Sequence, residues 1–235
     1  MNLQNHNIAK TCILLFAQSE KQESITKPIV SSNQKNQLLW KKMNERVLKT
    51  IKKTKIKYHH SNEKNQVGAN FGEKITHAIQ TVFEEGYENV IVIGNDSPQL
   101  TTKTLLETTQ KIQSNDFIFG PDKNGGVYLI AISKKNFNKK NFTKLSWKTS
   151  NLFEEIKTTY ANNRVEYLEQ LNDVNNISDV SKVASTFTYN NIFRAIILSV
   201  IHKLEYNQTR NTHFESIENN TFIFNKGSPN NYLFQ

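Results

Sequence analysis

The chain has 235 residues, 37% of them apolar, with 30 Lys and Arg against 21 Asp and Glu for a formal net charge of +9. A single cysteine, Cys12, excludes a disulfide scaffold, the polar opening Met1 to Lys10 argues against a secretion signal, and no apolar run reaches the roughly 18 residues of a bilayer span, so a cytoplasmic location is expected. Only Arg46, Arg164, Arg194 and Arg210 are arginines; base reading favours arginine, so nucleic acid is not an expected partner, whereas the positive field suits an anionic small molecule such as a nucleotide diphosphate.

Thr11 to Ala17 is a continuous apolar run, as expected of a strand buried on both faces of a parallel sheet. Gln18 to Gln37 reads as a polar stretch. Leu39, Met43, Val47 and Ile51 then recur at helical spacing within Leu38 to Ile51, and Lys55 to His60 reads as a short second strand. Phe71 to Glu85 is an amphipathic helix stopped by Gly86. Asn89 to Gly94 is a third buried strand, Thr101 to Ser114 a helix capped by Thr101 or Thr102, and Asp116 to Phe119 a fourth strand closed by Gly120 and Pro121. Val127 to Ile132 follows as a strand, Ser150 to Tyr160 as a helix, Arg164 to Tyr167 as a strand and Ser178 to Phe187 as a helix. This alternation predicts an α/β three-layer sandwich with a mainly parallel sheet. Asn191 to Leu204 is an intensely apolar helix, too short to span a membrane, expected to bury against the main body or a second copy. Thr221 to Phe224 and a turn at Gly227-Ser228-Pro229 complete the tail. The expected division is an α/β domain over residues 1–185 and a C-terminal extension over 186–235, with the apolar helix as a basis for a homodimer.

Four segments are candidates to carry chemistry. Ile91 to Leu100 delivers Gly94, Asn95, Asp96, Ser97 and Pro98 at the carboxyl end of a buried strand, where open parallel sheets bind ligands. Asp96 there suits Mg²⁺ or Mn²⁺ bridging diphosphate oxygens, or else Asp96 or Ser97 caps the next helix. Phe119 to Leu129 holds Gly125 and Gly126, which admit a sugar or phosphate to the backbone or simply make a tight connection. Gln66 to Glu73 opens a helix, where Gly68 and Gly72 allow an anion to approach the N-terminus; Glu73 is equally explained as helix-start chemistry. In Leu171 to Val180, Asp173 is a candidate second metal ligand and Asp179 a first-turn charge. His59 and His60 point to opposite faces of a strand, and the chain holds no Walker loop, GxSxG elbow or HExxH.

The order IGNDSPQL, GPDKNGGVYLI, Leu145-Ser146-Trp147 and Asp173-Val174-Asn175 before Ser178-Asp179 resembles a family of GT-A-type transferases long filed as a domain of unknown function. Members of that bacterial family often sit beside radical-SAM enzymes and are labelled arsenosugar-type glycosyltransferases. Gln66-x-Gly68 with Phe71-Gly72-Glu73 matches the family's helix-opening motif, and the likeness runs from Thr11 to Ala184. The resemblance implies a nucleotide-diphospho-sugar transferase fold related to cytidylyl- and guanylyltransferases, binding a nucleotide and a divalent metal. The chain departs from the family after its first strand. A Gly and a Lys-Thr-Arg-Leu signature are replaced by QSEKQESITKPIV, with Lys27 near the expected lysine. The family's Asp-Gly-Gly is Asn124-Gly125-Gly126, and its Arg after Gly-Glu is Lys74.

With the resemblance, the residues read as a metal-dependent transferase acting on a nucleotide-activated sugar. Asp96 is assigned to catalysis and, with Asp173, to the metal (Mg²⁺ or Mn²⁺). Lys27, Gln66, Gly68, Gly72, Glu73 and Ser97 border the nucleotide. Asn124, as a catalytic residue, with Gly125 and Gly126 faces the sugar or an acceptor of unknown identity. Two alternatives stay open: a nucleotidyltransferase acting on a phosphorylated acceptor, and a catalytically degraded GT-A-fold binding protein.

Overall fold

In the computed structural model, which describes residues 10–201, six strands alternate with helices. In chain order these are β1 (Thr11–Phe16), α1 (Glu20–Thr26), α2 (Asn33–Thr54), β2 (Lys57–Ser61), α3 (Phe71–Glu84), β3 (Asn89–Ile93), α4 (Thr102–Lys111), β4 (Phe117–Pro121), β5 (Val127–Ser133), α5 (Lys139–Lys144), α6 (Leu152–Thr159), β6 (Val165–Tyr167) and α7 (Ile177–Ser185). Residues 192–201 are helical as well. The strand order is β2-β1-β3-β5-β4-β6. β1 runs parallel to β2 and β3, and β4 parallel to β6, while β5 is antiparallel to both β3 and β4. The sheet is therefore mainly parallel with one reversed strand. β5 is reversed because only the loop 122–126 separates it from β4, far too little chain for a parallel crossover.

The unbroken apolar strands make sense against two cores. In β1, Cys12 and Leu14 face one hydrophobic cluster and Ile13 and Leu15 the other; in β3, Val90 and Val92 oppose Ile91 and Ile93 in the same way. The first cluster is completed by Ile75, Ile79 and Phe83 of α3, Phe142 of α5 and Ile156 of α6. The second is completed by Val47 and Ile51 of α2 and Leu105 of α4. In these two strands the apolar residues are divided between the two layers, which is why polar alternation is missing there.

Side-chain caps set the helix starts. Thr101, not Thr102, caps α4 by accepting from the Thr104 N–H at 3.1 Å, and Asn176 caps α7 by accepting from Asp179 N–H at 3.0 Å. Two differences from the sequence reading matter. The polar stretch Gln18 to Gln37 contains α1 and the first turn of α2, because Ser19 caps a helix with little apolar periodicity and Ser32 starts α2 well before its first buried apolar residue, Leu39. A short helix, α5, also forms over residues read as connection. Residues 192–200 belong to the same compact unit as the sheet, with Ile197 and Val200 buried. The expectations for Thr221 to Phe224, for the Gly227-Ser228-Pro229 turn and for the end of the apolar helix lie outside the described residues. Among the described residues no helix is long and apolar enough to cross a membrane.

Candidate active site

The loops that follow the parallel strands gather at one edge of the sheet. β1 leads into α1, whose N-cap Ser19 is held by Glu63 just beyond β2: the Glu63 carboxylate accepts from Ser19 N–H at 2.9 Å and from Ser19 Oγ at 2.6 Å. β3 leads into residues 94–98, β4 into the loop 122–126, and β6 into residues 168–176. The last segment returns across the β4–β5 connection, where Lys123 N–H donates to Leu171 O at 3.0 Å, and reaches the β3 loop, where Val174 N–H donates to Asp96 O at 2.9 Å. Ligands bind at such carboxyl edges because backbone and side chains of several loops face one crevice there.

At the centre is Asp96. Its Oδ2 accepts from Lys27 Nζ at 2.8 Å, and the two side chains are 27% and 25% exposed, so the pair is sheltered yet reachable from solvent. Asp96 does not close a helix end, since that role belongs to Thr101. Lys27, just past α1, is fixed from behind by Trp40, whose Nε1 donates to Lys27 O at 3.1 Å and whose ring lies 5.4 Å from Nζ. Burial presses against the Lys27 charge, but Asp96, Asp173 and Glu23 outweigh it and hold the ammonium above its ordinary pKa. Burial raises the Glu23 carboxyl, and Asp96 adds to the shift. Glu23 meets Asn95 Nδ2, which also donates to Asn44 Oδ1 at 2.8 Å.

Asp173 sits deeper. It accepts from Ser97 Oγ, so Ser97 serves the carboxyl rather than a helix N-terminus. Burial drives the Asp173 pKa up to about 9, with Asp96 and Asp122 adding to the rise and Ser97 opposing it. Asp122 is buried beside it, and its Oδ1 accepts from Asn124 N–H at 2.6 Å and Gly126 N–H at 2.9 Å. This carboxylate shapes the Gly-Gly loop: a Cβ on Gly126 would fall 2.4 Å from Asp122 Oδ2, and one on Gly125 (φ +86°) 2.0 Å from Ser150 O. The Asn124 side chain is left exposed at the crevice.

The structure thus brings Lys27, Asp96, Ser97 and Asp173 together and sets Asn124, Gly125 and Gly126 beside them through Asp122. The motif 66–73 is elsewhere employed. Gln66 Nε2 donates to Ser61 O at 3.3 Å, and the Glu73 carboxylate accepts from Ala69 N–H at 2.8 Å and Asn70 Nδ2 at 2.9 Å. Glu73 therefore performs helix-start chemistry. A Cβ on Gly72 would fall 2.3 Å from Thr143 O, and one on Gly68 (φ +140°) 2.7 Å from Glu73 Cβ, so both glycines meet packing demands of the chain itself. Asp122, Glu23 and Asn44 carry no role in the sequence analysis, and Asn95 is named there only as part of the loop that holds Asp96. Asp122 alone had a local signal, an Asp two residues before the Asn-Gly-Gly turn, where its carboxylate can accept backbone N–H groups.

Asp96 and Asp173 are two carboxyls, and among the described residues no group of three or more His, Cys, Asp or Glu is arranged to hold a metal ion unaided. The donor set still fits Mg²⁺ or Mn²⁺, hard cations that take one or two carboxylates and complete their shell with water and phosphate oxygens. Two surface hollows, of about 430 and 240 Å³, run along α2 and include neither Asp96 nor Asp173. The candidate site is defined by converging loops rather than by depth.

The mixed sheet and its flanking helices make an α/β fold, and that fold matches solved nucleotide-sugar transferase-like structures. A crystal structure of a provisionally named nucleotide-diphospho-sugar transferase from Desulfovibrio desulfuricans G20 matches with a TM-score of 0.72 at 22% identity, covering 83% of this chain and 98% of that one. The 4-diphosphocytidyl-2C-methyl-D-erythritol synthase of Anaerococcus prevotii DSM 20548 matches with a TM-score of 0.53 at 8% identity, covering 79% of this chain and 99% of that one. No curated protein matches significantly. The model of the family described as "Uncharacterized protein conserved in bacteria (DUF2064)" matches residues 19–149, more than half of the chain. The chain belongs to the DUF2064 family.

Proposed function

We propose that this protein is a transferase that binds a nucleotide-activated sugar with Mg²⁺ or Mn²⁺ at Asp96, assisted by Asp173, whose proton the arriving cation would displace. The observation that carries the reading is the Lys27–Asp96 pair. A cation and a carboxylate stand together, three-quarters sheltered, at the carboxyl edge of the parallel strands. Each fits one half of a metal–diphosphate ligand. When a diphosphate arrives, Lys27 can leave Asp96 for a phosphate oxygen and so free the carboxylate for the cation. The bound metal would offset negative charge growing on the departing diphosphate, the dominant electrostatic contribution in such transfers.

This chain's own residues do the rest. Ser97 orients Asp173. Asn95, held by Asn44, keeps the loop before Asp96 in place. Asp122 ties down the Asn124 and Gly126 amides, so that the loop presents the Asn124 side chain toward a sugar or acceptor hydroxyl. The fold likeness to the Desulfovibrio protein supports a nucleotide-sugar donor.

Calorimetric titration with nucleotide sugars and with nucleoside triphosphates, with and without Mn²⁺, tests the proposal. Mn²⁺-dependent binding of a nucleotide sugar that is lost in Asp96→Ala supports it. Release of pyrophosphate from a nucleoside triphosphate would instead assign a nucleotidyltransferase. Affinity that is indifferent to Asp96→Ala would defeat the assignment.

A further inference from the structure

We infer that Arg46 is a positioning residue for the Asp96 loop, and that the aromatic pair Phe187 and Phe193 acts on the site by holding Arg46 in place. The inference rests on the reading of Asp96 as the ligand-binding carboxylate. Helix α2 grips the loop on both sides of that residue. On one side Asn44 Oδ1 accepts from Asn95 Nδ2 at 2.8 Å. On the other, two positions along the helix, Arg46 Nε donates to Pro98 O at 2.5 Å. Asp96 lies between the two grips. Pro98 has no N–H, so its carbonyl is the only backbone hydrogen-bonding group it offers to a clamp.

The Arg46 side chain is itself braced. Its guanidinium carbon lies 4.4 Å from the centroid of the Phe187 ring and 4.7 Å from that of Phe193, and the two rings meet edge to face at 5.5 Å. Phe187 follows α7, and Phe193 lies on the helix of residues 192–201. The chain between the end of the last α/β helix and the buried Ile197 thereby reaches the acidic centre through one side chain. A lysine could not substitute fully: a planar, weakly hydrated cation packs against two rings, whereas an ammonium keeps its water. Burial lowers the Arg46 pKa from its ordinary value, and a guanidinium keeps its charge in proteins, so the clamp stays cationic.

The test reads loop order and ligand binding separately. Two amides report the loop: Leu100 N–H, bonded to Ser97 O at 3.1 Å, and Val174 N–H, bonded to Asp96 O at 2.9 Å. Hydrogen exchange is followed there and at Ile91 and Val92 of the central strand in the full chain and in Arg46→Ala, Arg46→Lys, Phe193→Ala and the double variant Arg46→Ala/Phe193→Ala. Mn²⁺ is titrated in parallel by electron paramagnetic resonance. Arg46→Ala should speed exchange at Leu100 and Val174 at least tenfold with the strand amides unchanged, and should weaken Mn²⁺ binding. Phe193→Ala should act in the same direction and add little when Arg46 is already alanine. Arg46→Lys, which can still donate to Pro98 O, should recover part of both losses. Unchanged exchange at the two loop amides, or acceleration at loop and strand alike, would overturn the inference, and Phe193→Ala can deliver either result even if Arg46→Ala does not fold. Faster loop exchange in a protein whose wild type takes up no Mn²⁺ would support the clamp and remove the metal reading instead.

Discussion

Replacing Lys27 by methionine should move two affinities in opposite directions. In the unliganded protein the ammonium sits 2.8 Å from Asp96 Oδ2. Coulomb attraction at that separation is about 1.5 kcal/mol even with the dielectric of bulk water, and larger in the sheltered environment observed. A metal ion arriving alone must compete with this interaction, so Lys27→Met should strengthen Mn²⁺ binding by roughly tenfold. A nucleoside diphosphate binding with the metal would lose its lysine contact. A charge-assisted hydrogen bond is worth about 1.5–3 kcal/mol, so its affinity should fall by roughly ten- to a hundredfold. The fold should survive, because the Trp40 anchor uses the backbone carbonyl of residue 27 rather than its side chain. Calorimetry with Mn²⁺ alone and with Mn²⁺ plus nucleoside diphosphate, with circular dichroism as the folding control, measures both. Weaker or unchanged Mn²⁺ binding in Lys27→Met would refute the competition on which the reasoning stands.

The raised Asp173 pKa gives a stability prediction with a definite sign. Folded Asp173 holds its proton up to about 9, while the ordinary value is 3.8, so the folded state binds more protons between these limits and stability falls as pH rises through them. Asp173→Asn removes that penalty, and its urea midpoint should gain on the wild type more at pH 8 than at pH 5; a pH-independent difference would contradict the assignment. Gly125→Ala forces a side chain into a positive-φ position 2.0 Å from Ser150 O and should cost roughly 1–3 kcal/mol or more in urea unfolding, whereas an unaltered midpoint would show that the loop relaxes freely. Glu63→Ala removes the acceptor for Ser19 N–H and Oγ; exchange of the α1 amides should accelerate while β1 stays protected, and an unaffected α1 would show that Glu63 is dispensable.

Much of the sheet was legible because strands buried on both faces write themselves as unbroken apolar runs. Thr11 to Phe16, Asn89 to Ile93 and Val127 to Ser133 were located to within a residue or so. Asp96 was legible for a related reason: a polar residue three positions beyond such a run must emerge at the sheet edge. The helix α1 was not, since EKQESIT buries only Ser24 and its start depends on Ser19 and a distant Glu63. The reversal of β5 followed from the shortness of the 122–126 loop, which periodicity does not report. In the 66–73 motif the glycines have a reason within the chain itself: a Cβ at Gly68 or Gly72 would meet Glu73, Thr143 or Trp147. Partners far apart in the chain, such as Asp173 with Ser97 or Arg46 with Pro98, leave no local trace.

The most direct measurement is a crystal soaked with Mn²⁺ and a nucleoside diphosphate, with data collected at the manganese absorption edge. An anomalous peak is expected roughly 2.1 Å from an Asp96 carboxylate oxygen, with Lys27 Nζ turned from Asp96 to a phosphate. A nucleotide seated elsewhere, or the Lys27–Asp96 pair intact with no manganese beside it, would contradict the claim.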